Sequence, residues 1–204
     1  MTLTHFAIIA VCAYLLGSLS FAIIVSKLTL GKDIRNYGSG NAGLTNAYRT
    51  MGAKKTLLVL LGDIAKGAAA VSIGMVLAGP VGKLTAGIFV ILGHLFPLYF
   101  GFKGGKGVLV GAVMLAFFDW RVFGIAFLLF VLAVALTKWI SLGSILGAIS
   151  FPITTWVFYR DPVLTAMAFG MAAVVVFMHR SNIGRIIHGK ENKFSYKSKK
   201  TMSD

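Results

Sequence analysis

Gly93-His94-Leu95-Phe96-Pro97-Leu98-Tyr99-Phe100-Gly101-Phe102-Lys103-Gly104-Gly105-Lys106-Gly107-Val108 is the stretch on which the reading of this sequence turns. It starts inside an apolar run, is interrupted by Pro97, and ends in a glycine-rich segment with two lysines. A second apolar run follows at once. Glycine lets backbone amides crowd around an anion, and a helix start offers free N–H groups at the positive end of its dipole. Lys103, Gly104, Gly105, Lys106 and Gly107 therefore read as a phosphate-binding segment at a membrane surface. A basic turn that only anchors two helices at the interface is the plainer alternative. Three glycines among two lysines are more than anchoring needs.

Outward from this stretch the chain is apolar. Of its 204 residues, 57% are hydrophobic and 13% charged. Apolar runs fall at 5–28, 55–78, 84–101, 108–118, 122–138, 141–159 and 163–179. Most approach the roughly 20 residues that span a bilayer as a helix. The expectation is an all-α polytopic membrane protein of seven transmembrane helices, since the period-2 alternation of a barrel is not found. The run 108–118 covers only about half of a roughly 30 Å hydrocarbon core at about 1.5 Å per residue. Either the bilayer thins there, or this helix starts within the membrane and opens on a polar cavity, which suits the glycine–lysine segment before it. No repeat or long linker divides the chain, so 1–204 is expected to be one integral-membrane domain. Residues 190–204 read as a basic cytoplasmic tail. No basic leader precedes the first run, so that helix is expected to remain in the mature protein.

The net charge of +14 lies between the apolar runs and in the tail. That distribution fits anionic headgroups and the positive-inside rule better than nucleic acid. With the N-terminus outside, sixteen of the twenty lysines and arginines fall on the inner side, and Lys83, Arg121 and Arg160 on the outer. The expectation is N-out and C-in. The single cysteine, Cys12, sits in the first apolar run and reads as a packing residue.

The remaining polar chemistry is also on the expected inner side. Residues 35–49 carry Arg35, Ser39, Gly40, Asn41, Asn46 and Arg49 among glycines and a threonine: short hydrogen-bond donors, a freely bent backbone and two anion clamps. A compact turn with its arginines at the headgroups is the plainer reading. Asp63 and Lys66 are one helical turn apart in the second run, which suits a mutually neutralising pair, or a lysine turned toward a phosphate. Ser141, Gly143, Ser144, Gly147 and Ser150 form a small-residue stripe that favours close helix packing, with Ser141 and Ser144 also placed to donate to a phosphate. His179 and Asn182 share a helical face at the inner end of the seventh run, and His94 lies at a similar depth. His5 has no visible partner. Carboxylates are few and scattered, so no metal site is expected, and no Gly-x-Ser-x-Gly elbow is present.

These segments resemble the three signature motifs of the bacterial acyl-phosphate:glycerol-3-phosphate acyltransferases, the PlsY family. The matching stretches are Gly38-Ser39-Gly40-Asn41-Ala42-Gly43 with Thr45, Asn46 and Arg49; Gly93-His94 through Pro97 to Gly107; and His179-Arg180-x-Asn182-Ile183-x-Arg185 with Gly189 and Glu191. The surroundings of Asp63 and Lys66, and Ser141-Leu142-Gly143-Ser144-Ile145, are similar too. Val108-Leu109-Val110 departs from the shorter side chains expected there. The resemblance implies a seven-helix fold and transfer of a fatty acyl group from acyl phosphate to the 1-hydroxyl of sn-glycerol 3-phosphate. It places the enzyme in the bacterial plasma membrane with its site facing the cytoplasm. It further implies that the glycine–lysine segment binds glycerol 3-phosphate, that Ser39 and Arg49 are needed for activity, that His179 and Asn182 belong to the site, and that Glu191 is structural. Arg35, Gly40, Asn41, Asn46, Lys66, His94, Ser141 and Ser144 complete the candidate substrate contacts. No cofactor is expected, and the enzyme is expected to work as a monomer on small-molecule substrates. A transporter of organic phosphate is the competing reading, weakened by the lack of an internal repeat and of a matching outer polar set.

Overall fold

The computed structural model describes residues 1–195, so most of the expected basic tail, 190–204, lies outside the described residues. The described residues pack as two compact units, one over Met1–Met114 and one over 115–195. The division falls inside a continuous helix, α5 (Val108–Phe118), and not at a linker.

The first unit begins with α1 (Leu3–Ser18) and α2 (Phe21–Leu30). The sequence reads 5–28 as one helix; the structure interrupts it at Leu19 and Ser20, both in extended conformation. Gly17 and the serines favour helix weakly, and Ser18 Oγ turns back to donate to Tyr14 O at 2.9 Å. After the short α3 (Leu44–Met51) comes α4, which runs from Ala53 to Leu95 but is not one rod. Ala78 and Gly79 leave helical geometry, Gly79 at φ 57°, and Pro80 begins a second arm as a residue that needs no helical N–H donor. The arms fold back on each other: a Cβ on Gly74 would collide with the Gly82 carbonyl, and one on Gly82 with that of Gly74. In a straight helix these residues would lie about 12 Å apart.

α1 lies along the second arm. A Cβ on Gly17 would strike the Val90 backbone, and one on Gly93 the Tyr14 carbonyl, so small residues set the spacing. Ile9, Leu84 and Val90 are fully buried in this unit. The run read as 84–101 ends its helix at Leu95, because Pro97 cannot donate to the preceding turn and disfavours helix at Phe96. The freed groups are met by α1 and its end: Tyr14 OH donates to Phe96 O at 2.8 Å, and Leu98 N donates to Ser18 Oγ at 3.2 Å. A 3-10 turn, Leu98–Phe100, leads into the glycine–lysine segment.

The second unit stacks α6 (Trp120–Thr137), α7 (Ile140–Tyr159) and α8 (Pro162–Met178), with α9 (Arg180–Ile187) bent 59° from α8. Asp119 caps α6 through Arg121 N and ties it to the end of α7 by accepting from Tyr159 OH at 2.8 Å. Asp161 caps α8, with Pro162 at its first position. The Gly143 and Gly147 faces of α7 rest against the Phe130 and Ala126 carbonyls of α6, the close packing that the small-residue stripe suggests.

By length and apolar character, four helical stretches among the described residues are able to cross a membrane: Leu3–Leu30, Ala53–Phe100, Trp120–Thr137 and Ile140–Tyr159. A fifth is added if the bent pair α8–α9 is one span. The protein is an all-α polytopic membrane protein.

Candidate active site

In the first unit, the polar segment before α3 is built on two side chains. Asp33 caps the 3-10 turn Ile34–Asn36 and receives Arg35 at both carboxylate oxygens, Nε to Oδ1 at 3.0 Å and Nη2 to Oδ2 at 2.8 Å. These Arg35 hydrogen bonds hold the Asp33 carboxyl below the usual carboxylate range. Arg35 Nη1 then donates to Phe100 O at 2.7 Å and Lys103 O at 3.1 Å. Arg35 thus ties this segment to the glycine–lysine segment. Asn46, buried on α3, is the second organiser. Its Oδ1 accepts from Ser39 N at 2.9 Å, and its Nδ2 donates to Tyr37 O at 3.0 Å. Ser39 and Gly40 are held exposed on the resulting turn with Asn41 beside them, and Arg49 follows Asn46 by one helical turn.

The glycine–lysine segment folds against the end of α4: Gly104 N donates to Leu95 O at 3.0 Å and Gly105 N to His94 O at 3.1 Å. A Cβ on Gly105 would collide with His94 Nε2 and come within 2.7 Å of Ala42 O, so only glycine fits. This contact brings the first motif, His94 and the second motif together. Gly107, at φ 76°, turns the chain into α5 and accepts its first bond, from Gly111 N at 2.7 Å. Lys103 is exposed and Lys106 half-buried beside this helix start.

Beneath the segment lies a buried ionic cluster. Lys66 Nζ is 2.8 Å from Asp63 Oδ1, donates to Gly17 O at 3.2 Å and to Leu19 O at 2.8 Å, and meets His94 Nδ1 at 3.0 Å. The i, i+3 pairing of Asp63 with Lys66 is present. The lysine also satisfies the carbonyls freed where α1 stops, an obligation inside a bilayer.

In the second unit Glu191 gathers three donors: Ser141 Oγ at 2.8 Å and Asn182 Nδ2 at 2.7 Å on Oε1, and Arg185 Nε at 2.7 Å on Oε2. Burial alone would raise its carboxyl; the bonds from Asn182, Ser141 and Arg185 outweigh that and hold it below its ordinary value. His179 is buried at the junction of α8 and α9, its Nδ1 2.8 Å from Val175 O. A carbonyl only accepts, so this nitrogen carries the proton. Ser144 Oγ donates to Ile140 O at 2.9 Å, within its own helix.

The first unit therefore assembles Arg35, Ser39, Asn46, His94 and the 103–107 segment, and the second joins Ser141 and Asn182. Two partners carry signals that the sequence reading leaves unused. Asp33 stands two residues before Arg35, the spacing of a turn cap. Gly17-Ser18-Leu19-Ser20 is a small, polar interruption in an apolar run.

Comparison with known proteins agrees. The family described as Glycerol-3-phosphate acyltransferase matches residues 7–189. Glycerol-3-phosphate acyltransferase 2 of Bacillus anthracis is 40% identical over 90% of this chain and 96% of its own length. The Glycerol-3-phosphate acyltransferase of Finegoldia magna is 39% identical over 95% and 98%. The crystal structure of PlsY, an integral membrane glycerol 3-phosphate acyltransferase, in its glycerol 3-phosphate form superposes with a TM-score of 0.87. It is 34% identical and the match covers 93% of this chain and 96% of that one. In its lysophosphatidic acid form the TM-score is 0.84 at 32% identity, over 93% and 95%. With its three motifs in place and the match running nearly end to end, this chain belongs to the glycerol-3-phosphate acyltransferase family.

Proposed function

We propose that this protein transfers a fatty acyl group from acyl phosphate to the 1-hydroxyl of sn-glycerol 3-phosphate, giving 1-acyl-sn-glycerol 3-phosphate (lysophosphatidic acid) and phosphate. This is the first step of bacterial phospholipid synthesis, and it takes place in the bacterial plasma (inner) membrane. The observation that carries the reading is the 103–107 segment. Gly104 and Gly105 are packed where no side chain fits, the two lysines precede a helix start, and Arg35 Nη1 donates to the Lys103 carbonyl. Such a segment suits the phosphate of glycerol 3-phosphate.

Acyl phosphate is a mixed anhydride with a good leaving group, so the enzyme mainly aligns two anions and offsets their repulsion. The glycerol hydroxyl oxygen bonds to the acyl carbon, the bond from that carbon to the phosphate oxygen breaks, and the departing phosphate takes the hydroxyl proton. Ser39, Arg49, His179 and Asn182 form the catalytic set. Lys103, Gly104, Gly105, Lys106 and Gly107, with Gly40 and Asn41, hold the substrates, while Arg35, Asn46, Lys66 and His94 shape that surface. The family match runs across both units, which supports reading the chain as one catalytic domain; in this reading the domain acts as a monomer. The fold-back of α4 at Gly79 and the short α5 support seven spans, and the lysine and arginine distribution supports N-out, C-in with a cytoplasmic site.

The test is phosphate release by the purified protein in detergent, with palmitoyl phosphate as donor, with and without glycerol 3-phosphate, and with palmitoyl-CoA in parallel. Release that requires both palmitoyl phosphate and glycerol 3-phosphate, with lysophosphatidic acid formed, is the expected result. Turnover with the thioester alone overturns the donor. Silence of folded protein with every donor overturns the activity.

A further inference from the structure

Lys66 Nζ makes four close approaches, and an ammonium has three protons and no lone pair. Gly17 O at 3.2 Å and Leu19 O at 2.8 Å are carbonyls and take two of those protons. Asp63 Oδ1, at 2.8 Å, balances the ammonium's charge. His94 Nδ1, at 3.0 Å, faces the same donor-only ammonium. That nitrogen must therefore accept. A proton on it would point at a group that only donates, so the single proton of the neutral ring is on Nε2. Nε2 is the atom that a Cβ on Gly105 would strike, and the same Cβ would lie 2.7 Å from Ala42 O. Among the described residues nothing accepts a hydrogen bond from Nε2.

We propose that Lys66 is a positioning residue: it locks His94 in the Nε2–H form, so that the imidazole offers a hydrogen-bond donor beside Gly105 and not a base. The ligand that such a donor fits is an anionic phosphate oxygen or the oxygen of a polarised carbonyl, both present in the substrates proposed above, and the inference rests on that reading. His179 has the opposite form, its proton on Nδ1 toward Val175 O. Two histidines of similar sequence character thus receive different chemistry from the groups behind them. The cluster also explains a lysine buried to 3% exposure, far from any phosphate-binding loop in sequence.

The experiment is nitrogen NMR of the histidine-labelled full chain in detergent micelles. The His94 signal is the one that survives in each of the His5→Gln, His179→Gln and His188→Gln chains. The expected spectrum shows an unprotonated Nδ1 and a protonated Nε2 near neutral pH. In Lys66→Met the proton redistributes toward Nδ1, and KM for glycerol 3-phosphate rises roughly tenfold with a smaller change in kcat, the loss of one hydrogen bond to an anion. A proton on Nδ1 in the unaltered chain overturns the proposal, and this arm holds even if Lys66→Met fails to fold. Folded Lys66→Met with unaltered tautomer and KM overturns it as well. An Nε2–H signal in an unaltered chain that is silent toward palmitoyl phosphate and glycerol 3-phosphate supports the tautomer and overturns the activity.

Discussion

Glu191 shows how a single carboxylate reports on its surroundings. Ser141, Asn182 and Arg185 all donate to it, and its side chain is only 5% exposed. Because its folded pKa lies below the unfolded value near 4.5, it contributes stability that is complete above that value. The contribution is lost as pH falls through the folded pKa. In Glu191→Gln the donating edge of the amide must face either Arg185 or the Ser141–Asn182 side, both of which donate to the carboxylate, so the variant is expected to lose about 1–3 kcal/mol at pH 7. The gap between the two proteins narrows as pH drops below 4.5, and thermal unfolding in detergent at pH 7 and pH 4 measures it. A gap that stays constant with pH would mean that charge is irrelevant here. The histidines make a second prediction. If the donor phosphate takes the proton, His94→Gln and His179→Gln retain measurable turnover with little change in pH profile. Abolished activity in folded protein of either variant would show that an imidazole is the obligate base.

At the scale of elements, spacing between helices rests on missing side chains. Gly17 meets the Val90 backbone, whereas Gly124 on α6 faces open space. Gly17→Ala is expected to force α1 from the second arm of α4, at a cost of about 1–3 kcal/mol. Gly124→Ala should leave the melting temperature at or above that of the unaltered chain. Equal melting temperatures for the two variants would refute close packing as the role of Gly17. This scale also shows what a sequence makes legible. Pro97 marks the end of the second arm, because the missing N–H acts locally. The α1–α2 interruption is harder to read, because an apolar run of that length also suits an unbroken span. Its stabilising partner, Lys66, is distant in sequence. Arg49, Ser39 and the lysine segment stand out by residue type, while Asp33 is marked only by its cap spacing to Arg35, and its grip on that guanidinium shows in the structure.

For the whole molecule, the charge distribution predicts a topology that single cysteines test. In a Cys12→Ser background, a cysteine at Lys83 should react with an impermeant maleimide from outside intact cells, and one at Lys190 only after the membrane is opened. The reverse pattern would invert the orientation. The overall helical class follows from composition, since 57% hydrophobic content leaves few alternatives. The division into two compact units does not, because it falls within α5, where no local residue type signals a boundary.

The lysine that closes the end of α1 has a further consequence, for biogenesis. A ribosome delivers Gly17 and Leu19 well before Lys66. Until then their carbonyls have no ammonium to receive, and each unsatisfied group in hydrocarbon costs several kcal/mol. The end of the first hydrophobic segment is therefore expected to stay within reach of water until α4 brings Lys66 to these carbonyls. The earliest segment to emerge is completed by one made later.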